Sequence, residues 1–236
     1  VTLYEHENFG GNYKTYFEDS ANVGSDFNDK TSSIVVKPLG VTIPRDALRF
    51  GGNVTFRGYH GKWLSSGASY DLNANAAINS SGGHISLLAS GVLNQAANGD
   101  IATTGTGTID VQAAGIVMAD GATTLTGSGN IRYAATGAIE LGMLGSSGNI
   151  SLSGTAISDA NGASLNLSAD QLKISASGFG TGANGIETTL ASLSADVGAG
   201  GLYLSETDAL SVGDTAAITV NRVKSDGTVT GSSRSD

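Results

Sequence analysis

The chain has 236 residues, with 12 lysines and arginines against 21 aspartates and glutamates, a net charge of −9, no cysteine and two prolines. That length allows one large domain or two small ones, the lack of cysteine excludes disulfides and thiolate metal sites, and no run approaches the about 18 apolar residues of a membrane-spanning helix. An acidic balance of this size repels polyphosphates and anionic lipid, which sets aside nucleic acid and membrane insertion.

Charge and aromatics are unevenly placed. Up to Ser66 there are 7 basic and 7 acidic residues, whereas from Gly67 onward there are 5 against 14. Of 14 aromatic residues, 11 lie at or before Tyr70, and only Tyr133, Phe179 and Tyr203 follow. This predicts two differently built modules: an aromatic one, then one of small residues and aliphatic ladders.

Residues 1–36 read as short strands joined by turns, with Gly10 and Gly11 punctuating the first hairpin. Tyr4, Phe9 and Gly11 fit the signature of a βγ-crystallin Greek key, and Asn28-Asp29-Lys30-Thr31-Ser32-Ser33 matches that family's calcium motif. The segment therefore resembles a βγ-crystallin Greek key. The resemblance implies calcium held by side-chain oxygens of Asp29 and Ser32 and the backbone carbonyls of Lys30 and Glu7, since Ca²⁺ takes six to eight oxygen ligands. Asx and Ser clusters also close turns through side-chain to backbone hydrogen bonds, and that reading stands beside the calcium one.

Residues 37–81 read as a connector, with Pro38 and Pro44, followed by a β cap. The stretch around Tyr70-Asp71-Leu72 resembles the lead-in of a second, degenerate Greek key, with Ala76 and Ala77 where an acidic pair would stand. Phe56 to Ser65 resembles a fascin-like hairpin instead. Tyr59, Trp63 and Tyr70 would make a stacking platform if the module binds a glycan.

Residues 82–223 repeat themselves. GGHISLLASG, GTIDVQAAG, GNIRYAATG and GNISLSGTA each open on glycine and then alternate apolar with polar residues. Their anchors Ile85, Ile109, Ile131 and Ile150 stand 24, 22 and 19 residues apart, the period of stacked coils. A second apolar position reads as Leu93, Val117, Ile139 and Ile157, and a third as Ile101, Leu125, Leu144 and Leu165. Period-2 alternation between Gly, Ser, Thr, Asn and Asp calls for three short strands per coil. The predicted fold is all-β: an N-terminal Greek-key module, then a parallel β-helix (β-solenoid) of about six coils. The repeats resemble large bacterial exoproteins of the filamentous haemagglutinin and giant-adhesin kind, which implies a right-handed β-helix on a secreted or surface-attached protein. Residues 224–236 read as a polar tail or linker, and with the start at Val1 they suggest a piece of a longer polypeptide.

Catalysis in such a fold needs carboxylates and cations converging on one face. Asp110, Asp120, Glu140, Asp159 and Asp170 fall at different phases, and Arg132, Lys173, Arg222, Lys224 and Arg234 are sparse, so these read as a solvated face. His6 and His60 read as hairpin surface residues and His84 as a turn residue. The expectation is a non-enzymatic extracellular or cell-surface segment whose partners are copies of itself or a host or cell-surface glycan or protein. The alternative is a glycan-binding or glycan-cleaving β-helix module.

Overall fold

Alternating residues between glycine-rich turns cannot bury their apolar side within one coil of about 20 residues, so successive coils must stack. The computed structural model describes residues 71–224 and 228–234, together with the N-terminal strands Thr2–Tyr4, Tyr13–Thr15, Ser33–Val35, Val41–Ile43, Leu48–Phe50 and Val54–Arg57. There is no helix among the described residues. The chain forms a parallel β-solenoid of about six turns with three faces.

One turn consists of Leu72–Ala74 on face A, Ile78–Ser80 on face B and Ile85–Leu88 on face C, and the next repeats it with Val92–Gln95, Ile101–Thr103 and Ile109–Ala113. Later turns merge their strands: Asn149–Asp159 rounds the corner from face C to face A, Leu167–Phe179 runs from face B across face C to face A, and Ile186–Val197 rounds the corner from B to C. At about 4.8 Å per turn, six turns make a rod about 29 Å long.

Register fixes the inward columns. On face C, Ile85, Ile109, Ile131, Ile150, Leu172 and Leu193 stack in parallel register, all buried, the first four as the sequence spacing predicts. On face A the column is Leu72, Leu93, Ile116, Ile139, Ile157 and Phe179. On face B it is Ile78, Ile101, Thr124, Leu144 and Leu167. Burying a Leu or Ile side chain is worth roughly 1.5–3 kcal/mol, so these columns carry most of the stability.

Three of the expected inward positions are displaced. Val117 and Leu125 are each 39 % exposed, while their neighbours Ile116 and Thr124 point inward. A one-residue slip inverts a strand's faces, and here two adjacent residues competed for the inside. Leu165 is only partly buried, and Leu167 takes its place. The corner before it is set by Asn166, whose Nδ2 lies 3.2 and 3.1 Å from the carbonyls of Leu141 and Gly142 and 2.9 Å from both Asp159 Oδ1 and Asn161 Oδ1. Its Oδ1 accepts the Glu187 N–H at 3.0 Å, so one fully buried amide ties neighbouring turns together.

The glycines that open three of the four phrases have a steric reason. A Cβ on Gly129 would sit 1.8 Å from the Gly107 carbonyl oxygen, one on Gly107 2.6 Å from that of Gly83, and one on Gly148 2.5 Å from that of Ser128. Each glycine lies directly over the backbone of the preceding coil, where no side chain fits.

The parallel register begins before residue 82. Val41–Ile43, Leu48–Phe50 and Val54–Arg57 form a turn of their own, one strand per face, which pairs in parallel with the three strands of the turn from 72 to 88. Residues 72–80, compared above with a second Greek key, are part of that parallel turn; their alternation is shared by both folds, and only strand direction separates them. Thr2–Tyr4 is flanked by Tyr13–Thr15 and Ser33–Val35 in an antiparallel sheet.

The other end also departs from expectation. The coils stop at Leu204–Glu206 and Ser211–Val212. Ile218–Val223, expected inside the solenoid, pairs antiparallel with Val229–Arg234, which read as tail. Val229–Arg234 carries mostly small polar side chains, and it lies on the outer side, where hydropathy gives no signal.

Candidate functional site

The candidate site is the outer side of face C, where the C-terminal hairpin crosses the coils. Residues alternate across a strand, so between the inward isoleucines of successive turns stand Ser86, Asp110, Arg132, Ser151 and Lys173, one above the other. An outward polar column would ordinarily be wet, yet Ser86, Asp110, Ser151 and Lys173 are all buried.

Ile218–Val223 lies over this column and uses its backbone edge to do so. Ser86 Oγ accepts the Val223 N–H at 2.8 Å, Thr108 Oγ1 accepts the Asn221 N–H at 2.9 Å, and Asn130 Nδ2 donates to the Thr219 carbonyl at 2.8 Å. The strand thus advances two residues per turn. Two extended residues cover about 6.6 Å against about 4.8 Å between coils, so it crosses obliquely. Ile218, Val220 and Val223 are buried in the assembled hairpin.

A charge cluster sits in the middle. Asp110 is 0 % exposed; Arg132 Nη1 reaches its Oδ1 at 2.9 Å and Arg222 Nε its Oδ2 at 2.7 Å, with the arginine side chains 15 % and 27 % exposed. A buried carboxylate without partners would be prohibitively costly, and two charge-assisted hydrogen bonds offset that cost. Asp110 is therefore a structural anchor, in contrast to the solvated face predicted for it. Asp120, Glu140 and Asp170 are exposed as expected.

Next to this cluster, His84 is more than a turn residue. Its Nδ1 accepts the Thr108 N–H at 3.1 Å and lies 3.1 Å from Thr108 Oγ1, the same hydroxyl that holds Asn221. Burial lowers its pKa below the usual 6.5.

Inside the solenoid, one polar cluster spans all three faces. The Tyr133 hydroxyl is 2.7 Å from Thr124 Oγ1 and donates to Gln95 Oε1 at 3.2 Å, while Gln95 Nε2 donates to the Thr123 carbonyl at 2.8 Å. Desolvation pushes the Tyr133 phenol well above its ordinary value of 10. On the outside, a groove of about 510 Å³ follows the corner between faces B and C, with Ser146, Ser168, Thr189, Asp170 and Asp208 in its wall.

The expected calcium ligands Glu7, Asp29, Lys30 and Ser32, and the aromatics Tyr59, Trp63 and Tyr70, lie outside the described residues. Ser86, Thr108, Asp110, Asn130 and Arg132 with Arg222 form a clasp on Ile218–Val223 that the sequence reading missed, although one signal was present: Asp110 and Arg132 stand 22 residues apart, the same step as Ile109 to Ile131. For Arg222, 112 residues from Asp110, the sequence carries no such sign. No protein family, curated protein or solved structure matches the chain.

Proposed function

We propose that this chain is a non-enzymatic structural and adhesive segment of a large secreted or cell-surface bacterial exoprotein. The observation that carries the reading is the unbroken inward column from Ile85 to Leu193, which makes a stiff rod whose outer faces can vary without disturbing the core. The polar groups best placed for chemistry, Asp110 with Arg132 and Arg222, are spent on holding the hairpin. Solenoids end in strand edges, and Ser211–Val212 pairs with only one neighbour among the described residues, with Val212 76 % exposed. Strand addition at that end would join copies into fibres, and calcium at Glu7, Asp29, Lys30 and Ser32 would stiffen the N-terminal module.

Beads coated with the chain should be retained on cell surfaces without turnover of any surface glycan; retention no better than that of uncoated beads argues against adhesion. Titration calorimetry with Ca²⁺ should give heat that Asp29→Ala abolishes, and no heat from the unaltered chain removes calcium from the proposal. The second reading, a glycan-binding or glycan-cleaving module, draws support from the hydroxyl- and carboxylate-walled groove. A glycan array probed with the chain, Trp63→Ala and Asp170→Ala separates the two: sugar binding lost in either variant favours the second.

A further inference from the structure

The hairpin does not belong to the solenoid's own stacking. It lies on the outer surface, so it can lift away without moving any inward column. What holds it is a row of side chains presented one per turn, Ser86, Thr108 and Asn130, meeting the strand's backbone rather than its side chains. Arg222 on Asp110 adds a charge-specific contact. Such a surface recognises an extended strand that places an arginine between two backbone-bonded residues.

The connection to the hairpin is short. Val212 pairs with Leu193, and the column from there to Ile131 passes Leu172 and Ile150, four steps of about 4.8 Å or about 19 Å in all. From Val212 to Thr219, which meets Asn130 beside Ile131, the chain has seven Cα to Cα steps and can span at most about 23–25 Å. The linker is therefore close to its full reach when the hairpin docks on its own solenoid.

We propose that the face bearing Ser86, Thr108, Asp110 and Asn130 is a docking surface for the C-terminal hairpin of a second copy of this chain, filled in cis here and exchangeable in trans. Trans docking makes the same contacts and frees the linker from its span, which is the physics of domain swapping. A tethered hairpin has a local concentration in the millimolar range, so cis docking prevails in dilute solution and exchange competes where copies are packed together. This route to self-association is independent of strand addition at the solenoid's end.

The test is a full chain lacking residues 213–217. Val212 is then joined to Ile218 and only two steps, about 7 Å, remain to reach Thr219, too few for cis docking. Sedimentation should show the mass at least doubled, with the Asn221 and Val223 amides protected from hydrogen exchange, and adding Arg222→Ala should return the monomer with those amides unprotected. A monomer with freely exchanging Asn221 and Val223 amides overturns the proposal, because the face then fails to capture a hairpin in trans. A monomer with those amides still protected overturns it too, because cis docking would not depend on the linker. Assembly that survives Arg222→Ala assigns association to the solenoid ends and equally overturns hairpin exchange, while leaving the fibre reading intact.

Discussion

Replacing Asp110 by Asn keeps the side chain's shape and removes its charge, which isolates the electrostatic part of the clasp. Asp110 accepts from Arg132 through one carboxylate oxygen and from Arg222 through the other. An amide offers one acceptor oxygen, so its NH₂ must face one of the two guanidinium donors. Removing one partner of a buried ion pair costs about 3–5 kcal/mol. The arginines are partly exposed, at 15 % and 27 %, and the hairpin can lift to rehydrate them, so the low end, about 3 kcal/mol, is the appropriate figure. At 1.4 kcal/mol per factor of ten this corresponds to roughly a hundredfold shift toward the lifted hairpin. Hydrogen exchange read residue by residue should show the Asn221 and Val223 amides exchanging about 100 times faster, with the Ile131 and Leu152 amides unchanged, because opening is local. Unchanged exchange at Asn221 and Val223 would refute the anchoring role. Equal acceleration throughout would show that Asp110 stabilises the coils rather than the hairpin.

Four further outcomes follow from the same geometry. Gly129→Ala sets a methyl against the Gly107 carbonyl and should lower stability by about 3 kcal/mol in denaturant unfolding, whereas Gly213→Ala, with nothing within 4 Å, should change it by under about 0.5 kcal/mol. Ile131→Asp puts a carboxylate in the middle of the face C column and should abolish cooperative melting of the coils. Tyr133→Phe should cost about 1–2 kcal/mol by stripping a partner from Thr124 and Gln95. Because the folded phenol titrates above the unfolded one, the unfolded chain loses its proton first as pH rises past 10, and stability should fall there less steeply in Tyr133→Phe than in the unaltered chain. For His84 the sign is opposite: its folded pKa is lowered, so its contribution is complete above 6.5 and is lost as pH falls through the folded value. His84→Gln, which keeps an acceptor for the Thr108 N–H and does not titrate, should flatten the melting temperature below pH 6.5 relative to the unaltered chain.

The inward column of face C was legible because each of its isoleucines has polar residues on both sides in sequence, as in Asn130-Ile131-Arg132, so parity had one solution. On faces A and B it had two. Ile116-Val117 offers two β-branched candidates, and Thr124-Leu125 offers a threonine that hydropathy places outside. The structure puts Thr124 inside because Tyr133 and Gln95, from the other two faces, meet its hydroxyl there. A rule that scores each residue alone cannot see a partner supplied by a different turn. The clasp was less legible still. A solenoid repeats contacts at its own period, so Asp110 to Arg132 could be read as one turn, but the hairpin crosses the columns and makes contacts 89 to 137 residues away in sequence. Those contacts use Ser86, Thr108 and Asn130, residue types that also close turns in this chain. What distinguishes them is that they come up one per coil at the same corner or column, a spacing matched to a strand laid across them. That match depends on register, which no single stretch of the sequence contains.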